Sequence, residues 1–245
     1  MKTHLQFLLL PVFIFLFSII LFAQKIPSSI NKEIETKDKN VDSVRIQSQY
    51  MGDAHNTDIY KSKKAPAKFT AKFVTTKGEF EVIAERNLSP LAVDRFYTLI
   101  RSNYFKNIPI YRVMKNFVAQ FGTVNGHLDT LWSKEVILDE PVRRSNDTGT
   151  IAFARAGKNT RGTQLFINLK HNSKLDTVSY GETLGFPPFA YVSKGMDVVY
   201  KFYDGYGDEP RLKLDDVPDD ATDFLKKNYP NIDYILDAIV ISVQE

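Results

Sequence analysis

Tyr111–Gly122 reads YRVMKNFVAQFG, and Ile151–Ile167 reads IAFARAGKNTRGTQLFI. In the first stretch Arg112 stands among apolar residues and is followed by Phe117, Val118 and Gln120. Turn chemistry at Lys115-Asn116 divides it into two short strands. In the second stretch Gly149–Ala154 and Gln164–Leu169 read as strands flanking a loop rich in Gly, Asn and Thr. Gly157, Asn159 and Gly162 shape a turn there. They form no phosphate cradle, because no Lys-Ser/Thr pair follows them.

Working outward, FTAKFVTTKGEFEVIA (Phe69–Ala84) alternates apolar and polar residues around Lys77-Gly78, a hairpin pattern. SPLAVDRFYTLIRSNYF (Ser89–Phe105) follows. Ser89 suits an N-cap, and Pro90 sits at the first helical position, where a missing N–H costs nothing. Val93, Phe96, Tyr97 and Ile100 make one apolar stripe at i, i+3, i+4 and i+7. Beyond the second stretch, Phe189–Val192 reads as a short strand and a helix starts near Lys194. Gly205–Pro210 reads as a loop. Ala221 to about Asn228 is a helix capped by Asp220 and stopped by Pro230, and Ile235–Val243 is a final strand. A hairpin, a helix and then several short strands predict a mainly β or α+β domain over 67–245, with insertions near 176–185 and 204–232.

Bulk composition narrows the function classes. A chain of 245 residues that is 43% hydrophobic and 13% aromatic can fill a globular core. Its net charge of +3, with no basic cluster, offers nothing to nucleic acid. The absence of cysteine excludes disulfides, thiol catalysis and Cys-based zinc sites. His4, His55, His127 and His171 are not at metal-ligand spacing. No cofactor and no metal is expected.

Residues 1–23, MKTHLQFLLLPVFIFLFSIILFA, place Lys2 before an apolar run from Leu5. They read as a signal peptide cleaved after Ala23 or as an uncleaved signal anchor. Both place the remainder outside the cytoplasm: periplasmic, extracellular, or held at a membrane by residues 5–23. Residues 24–66 are polar, charge-mixed and aperiodic, and read as a linker or arm.

The two quoted stretches, in this order of elements, resemble the signature segments of the cyclophilin-type peptidyl-prolyl cis-trans isomerases. The resemblance covers 69–200 and the last strand. It implies an eight-stranded antiparallel closed barrel with flanking helices and a site on its outer face. It also implies a monomer that acts on proline-containing polypeptides and touches a membrane only through an uncleaved N-terminal segment. By resemblance Arg112 and Gln120 are catalytic. Phe117, Val118, Phe166 and Leu175 line a proline pocket, with Phe186 in the place of a pocket histidine. Ala154, Arg155 and Ala156 line a groove for residues before proline, and Gln164 holds substrate backbone. Asp139 and Glu140 match a structural pair of the family.

The chain departs from that pattern at Tyr111 (usually His or Phe), Val118 (Met), Arg155 (Asn) and Lys174 (Trp in some members). The stretch after Gln120 is shortened to GTVNG. An intact arginine beside an altered pocket implies low or selective activity. Three functions are compatible with these residues: an exported isomerase, a weakly catalytic proline-peptide-binding module, and a membrane-tethered interaction platform.

Overall fold

The computed structural model describes residues 61–123, 132, 134–180, 182–214 and 221–245. The N-terminal run, nearly all of the polar stretch, His55, His127 and the Asp220 cap lie outside these residues. The expected hairpin is β1 (Lys68–Thr75) and β2 (Gly78–Glu85), paired in register from Thr75↔Gly78 to Lys68↔Glu85. Alternation puts Phe69, Ala71 and Phe73 of β1 on the same face as Phe80, Val82 and Ala84 of β2, and all six are buried.

Helix α1 (Pro90–Arg101) starts where the sequence predicts, with Ser89 as N-cap and Pro90 at its head. Two features differ from expectation. The Ser89 hydroxyl caps nothing on the helix. Instead Glu140 accepts the N–H groups of Leu91 (2.8 Å) and Ala92 (3.2 Å), together with the Ser89 hydroxyl proton. A full carboxylate at a helix N-terminus is a stronger acceptor than a hydroxyl, so a residue distant in sequence takes over the cap. The helix is also buried well beyond its apolar stripe, at Asp94, Arg95 and Thr98.

The cause is a second covering layer. Ala65 N–H reaches Asp94 (2.8 Å), Lys63 N–H reaches Thr98 (2.7 Å), and Ser62 accepts from Arg95 Nε (2.9 Å). The end of the stretch read as an arm is therefore docked on α1, and the packed domain reaches back to Ser62. Arg95 also bonds the carbonyls of Trp132, Glu135 and Gly162 and lies over the Trp132 ring. Burial lowers the pKa of its guanidinium to about 10 against the pull of Glu135.

The remaining strands are β3 (Ile108–Pro109), β4 (Arg112–Val113), β5 (Val118–Phe121), β6 (Thr150–Phe153), β7 (Leu165–Asn168), a small pair β8 (Ser179–Tyr180) and β9 (Thr183–Leu184), β10 (Ala190–Lys194) and β11 (Tyr234–Gln244). Seven of them join β1 and β2 in one nine-stranded antiparallel sheet in the order β3-β11-β1-β2-β10-β6-β7-β5-β4. Its two edge strands, β3 and β4, are consecutive and separated only by Ile110 and Tyr111. The sheet must therefore curl until both edges meet at one chain segment. If Ile108–Val113 is counted as a single segment, eight segments make the expected ring. β3 pairs with β11 and β4 with β5, so the ring runs through this one segment without a ladder between β3 and β4.

The interior of the curl is packed solid. Phe73 stacks on Phe80 at 5.0 Å, and Phe96 of α1 meets Phe189 at 5.2 Å. Phe105 and Phe121 close the cluster at 5.9 Å. This leaves the outer face for a site.

Short helices complete the chain: α2 (Lys174–Thr177), α3 (Met196–Val199), α4 (Glu209–Leu214) and α5 (Ala221–Asn228). Helix α4 begins inside the stretch expected to be a loop. Pro210 sits in its first turn, where proline is tolerated. No helix among the described residues is long and apolar enough to cross a membrane.

Candidate active site

Strand pairing assembles the site from one cross-strand row. Arg112 faces Gln120, Gln120 faces Phe166, and Phe166 faces Ala152, across β4, β5, β7 and β6. The pleat sends the neighbours of these residues, Ala119, Phe121, Ile151, Leu165 and Ile167, into the main core. The row itself points outward. There Val118, Ala152 and Phe166 form a separate buried cluster with Phe117, Ala154, Leu175 and Phe186.

Phe117 and Val118, which strict alternation would send to opposite faces, both line the cavity. Phe117 precedes the strand, in the turn where Asn116 takes φ 58°, and so escapes the pleat. All eleven residues expected at the site line a single groove of about 620 Å³.

The lid of the apolar part is built by the 176–185 insertion. It folds back through β8 and β9, so that Gly185 N–H reaches the Val178 carbonyl (2.9 Å) and Phe186 N–H reaches that of Leu175 (2.7 Å). Phe186 then meets Phe166 edge-on at 5.8 Å, and the exposed Lys174 lies outside the lining. A polar network pins these walls from behind. Asn172 Nδ2 donates to the Phe117 carbonyl (2.9 Å) and to Asn168 Oδ1 (2.8 Å). Asn168 Nδ2 donates to Asn146 (3.0 Å), and Asn146 Nδ2 donates to the Phe186 carbonyl (2.9 Å). Asp176 accepts from Ser145 Oγ (2.5 Å) and from the N–H and Nδ2 of Asn146 (2.8 Å each). Burial works against the Asp176 carboxylate, but these hydrogen bonds outweigh it and hold its pKa below the ordinary value.

Arg112 occupies the rim. Its guanidinium carbon lies 5.7 Å from the centre of the Phe117 ring, and Nη1 donates to Gln120 Oε1 at 3.1 Å. Nε is 2.5 Å from Asp208 Oδ1, an ion pair without hydrogen-bond alignment. Gln120 is buried and its amide is engaged within the row, since Nε2 donates to Gln164 Oε1 (3.2 Å). Tyr111 donates to the same Gln164 oxygen (2.8 Å), and Gln164 itself stays exposed. Gly122 makes this proximity feasible. Its φ is +101°, and a Cβ there would stand 2.2 Å from the Thr163 carbonyl oxygen.

Ala154, Arg155 and Ala156 all line the groove, and the Arg155 guanidinium is tied down at its wall. That guanidinium is nearly inaccessible. It pairs with Asp139 (3.1 Å), bonds the Gly185 carbonyl and lies 5.0 Å over the Phe186 ring. Asp139 also accepts the Asn159 N–H (2.8 Å), at the φ +55° turn of the connecting loop. Asp139 and Glu140 are structural, and Glu140 additionally pairs with the buried Arg161 (3.1 Å). Among the described residues no three His, Asp or Glu side chains come together as a metal site.

A fixed cation at the rim of an apolar pocket, with the exposed Gln164 amide alongside, can recognise a proline-containing backbone. The sequence model of the family described as cyclophilin type peptidyl-prolyl cis-trans isomerase/CLD matches residues 70–223. The chain belongs to this family. A peptidyl-prolyl cis-trans isomerase of Acinetobacter baylyi is 29% identical over 147 residues, which is 57% of this chain and 74% of that protein. One from Rhizopus delemar is 31% identical over 149 residues, covering 58% of this chain but only 22% of that longer protein. In three dimensions the cyclophilin resembles a cyclophilin type isomerase of Cryptosporidium parvum. The TM-score is 0.51 at 18% identity, over 72% of this chain and 99% of the other, a likeness of fold.

Several residues of this cyclophilin's site lie beyond what the sequence reading singled out. Arg211, Leu214 and Ala221, all from the 204–232 insertion, join the groove, and Asp208 of the same insertion pairs with Arg112 at its rim. Tyr111 and Thr123 also join the groove. The Asn146-Asn168-Asn172 network carries one faint sequence signal: an asparagine ending the apolar strand LFIN, where an unpaired amide would be costly to bury.

Proposed function

We propose that this chain is an exported peptidyl-prolyl cis-trans isomerase that assists the folding of exported proteins. Rotation about an X–Pro amide faces a barrier of about 18–20 kcal/mol, set by resonance in the C–N bond. At the twisted state resonance is lost and the prolyl nitrogen becomes pyramidal and basic. A group that favours this state over the planar one lowers the barrier. Arg112 is that group. Its guanidinium stays charged and presents donors in a rigid fork to the prolyl nitrogen and the proline carbonyl.

The proline ring enters between Phe117, Val118, Phe166, Leu175 and Phe186. Gln164 meets the substrate backbone, and the residues before proline run past Ala154 and Ala156. Gln120 works through Arg112 instead of through the substrate. No covalent step takes place. The observation that carries this reading is the guanidinium of Arg112, held by Gln120 at 3.1 Å and set over the ring of pocket residue Phe117. Family membership supports it, and a structural neighbour from Cryptosporidium parvum is described in the presence of the dipeptide Ala-Pro. Export rests on the apolar run at residues 5–23.

The test is NMR exchange spectroscopy of an Ala-Pro peptide with the full chain. Faster cis/trans exchange, most of which Arg112→Ala removes, is the expected result. Peptide binding without acceleration would make the protein a proline-binding module. Export is checked by the N-terminus of the protein recovered from the source cell's envelope and medium, expected at Gln24. An intact Met1 in the cytoplasmic fraction overturns it.

A further inference from the structure

We propose that Asp208, supplied by the 204–232 insertion, is a positioning residue of the isomerase that fixes the Arg112 guanidinium over the proline pocket. The inference rests on the isomerase reading above. Arg112 lies on a two-residue edge strand, and its long side chain has many rotamers to lose before it can act on a transition state. Two contacts remove that freedom. Gln120 takes Nη1 and Asp208 takes the Nε side at 2.5 Å. Nη2 donates no hydrogen bond among the described residues, and the guanidinium carbon lies 5.7 Å from the centre of the Phe117 ring. The fork is anchored through two of its nitrogens and open at the third.

Asp208 is itself held. Arg211, in the first turn of α4, donates from Nε to Oδ1 (3.0 Å) and from Nη2 to Oδ2 (3.3 Å). Leu212 N–H bonds the Asp208 carbonyl (3.2 Å), tying it to the helix start. Helix α4 packs against β4, and Tyr229 of the same insertion donates to Glu209 (3.3 Å). Tyr111, the residue beside Arg112, is buried in a cluster with Leu225, Tyr229 and Ile232. The insertion is thus fastened at the residue next to the arginine it orients.

Charge separates a clamp from a brake. One carboxylate lies between two guanidinium groups, so the trio keeps a net positive charge at the rim. Burial disfavours the Asp208 carboxylate. The hydrogen bond from Arg211 and the charges of Arg112 and Arg211 outweigh this and keep it ionised at neutral pH.

The experiment measures Ala-Pro exchange rates and peptide affinity by NMR, with the full chain as wild type, D208N, D208E, R112A and R112A/D208N, each with its thermal midpoint. D208N is expected to slow exchange about tenfold, because a catalytic group loses its placement, with little change in peptide affinity. D208E should recover part of the rate. In the R112A background D208N should cost nothing further, since the aspartate has no arginine left to place. An unchanged or faster rate in folded D208N overturns the proposal, as does an equal further loss on top of R112A. Wild type without acceleration removes the isomerase reading and the clamp together, whereas wild-type acceleration indifferent to D208N removes only the clamp. If D208N does not fold, R211Q takes its place, with a smaller loss expected and an unchanged rate counting against the clamp.

Discussion

The two faces of strands β5, β6 and β7 are equally buried but are used differently. Inside, Ala119, Phe121, Ile151, Phe153, Leu165 and Ile167 belong to the aromatic core under α1. Outside, Val118, Ala152 and Phe166 are covered by Phe117 from the turn before β5 and by Leu175 and Phe186 from the segment after β7. Every residue of the three strands is buried. Burial alone therefore does not distinguish a core from a ligand pocket. The distinction lies in the covering layer, which is continuous aromatic packing on one face and an open groove with a guanidinium at its rim on the other.

Mutations on opposite faces should separate stability from activity. Phe153, stacked on Phe189 at 5.2 Å, belongs to the inner face. Phe153→Ala should cost about 3–5 kcal/mol of stability through the cavity it leaves, read from urea unfolding. A loss below about 1 kcal/mol would show that this face is not a rigid core. On the outer face, Arg112→Ala should lower kcat/KM by about 100-fold or more, near 3 kcal/mol, without moving the unfolding midpoint. A stability loss as large as that of Phe153→Ala would merge the two faces into one packing unit.

Phe117→Ala should weaken proline-peptide binding by about 2 kcal/mol, the value of one aromatic contact surface, with a smaller effect on stability because this residue is only half-buried. Falling stability with unaltered affinity would assign Phe117 to the core. The smallest effect is expected behind the pocket wall. Asp176→Asn removes charged acceptance of three hydrogen bonds and should cost about 1 kcal/mol at neutral pH. The folded-state pKa of Asp176 lies below the usual 3.8, so its contribution is complete well above that value and fades as pH falls through it. The gap between wild type and Asp176→Asn should therefore close in acid. A gap independent of pH would mean that the charge plays no part.

Much of this architecture is legible in local sequence. The β1–β2 hairpin, the start of α1, the Asn116 turn, α5 and β11 each follow from alternation, caps or proline stops within a few residues. Arg112, Phe117, Gln120, Gln164 and Phe166 were legible as candidate site residues only because two segments match a family pattern together. Spacing alone would have left Phe117 and Phe166 as ordinary core. Other features could not be read locally. Glu140 caps a helix from which it is far removed in sequence. Arg155, a groove residue, also braces Phe186 and Gly185. Asp208 looked like part of a loop.

The amino-acid sequence by itself determined most of the elements and which side chains share a face within a regular strand, because the two-residue period of a β-strand is a property of the chain alone. It also set the chemical repertoire: no thiols, little net charge, and an arginine beside a phenylalanine and a glutamine. Only the tertiary structure decided that the sheet curls back to a seam at Ile110-Tyr111, that the outer face of β5–β7 becomes the pocket, and that Asp208 meets Arg112. Those outcomes depend on hydrogen-bond register and loop closure between distant segments, and no local periodicity encodes them.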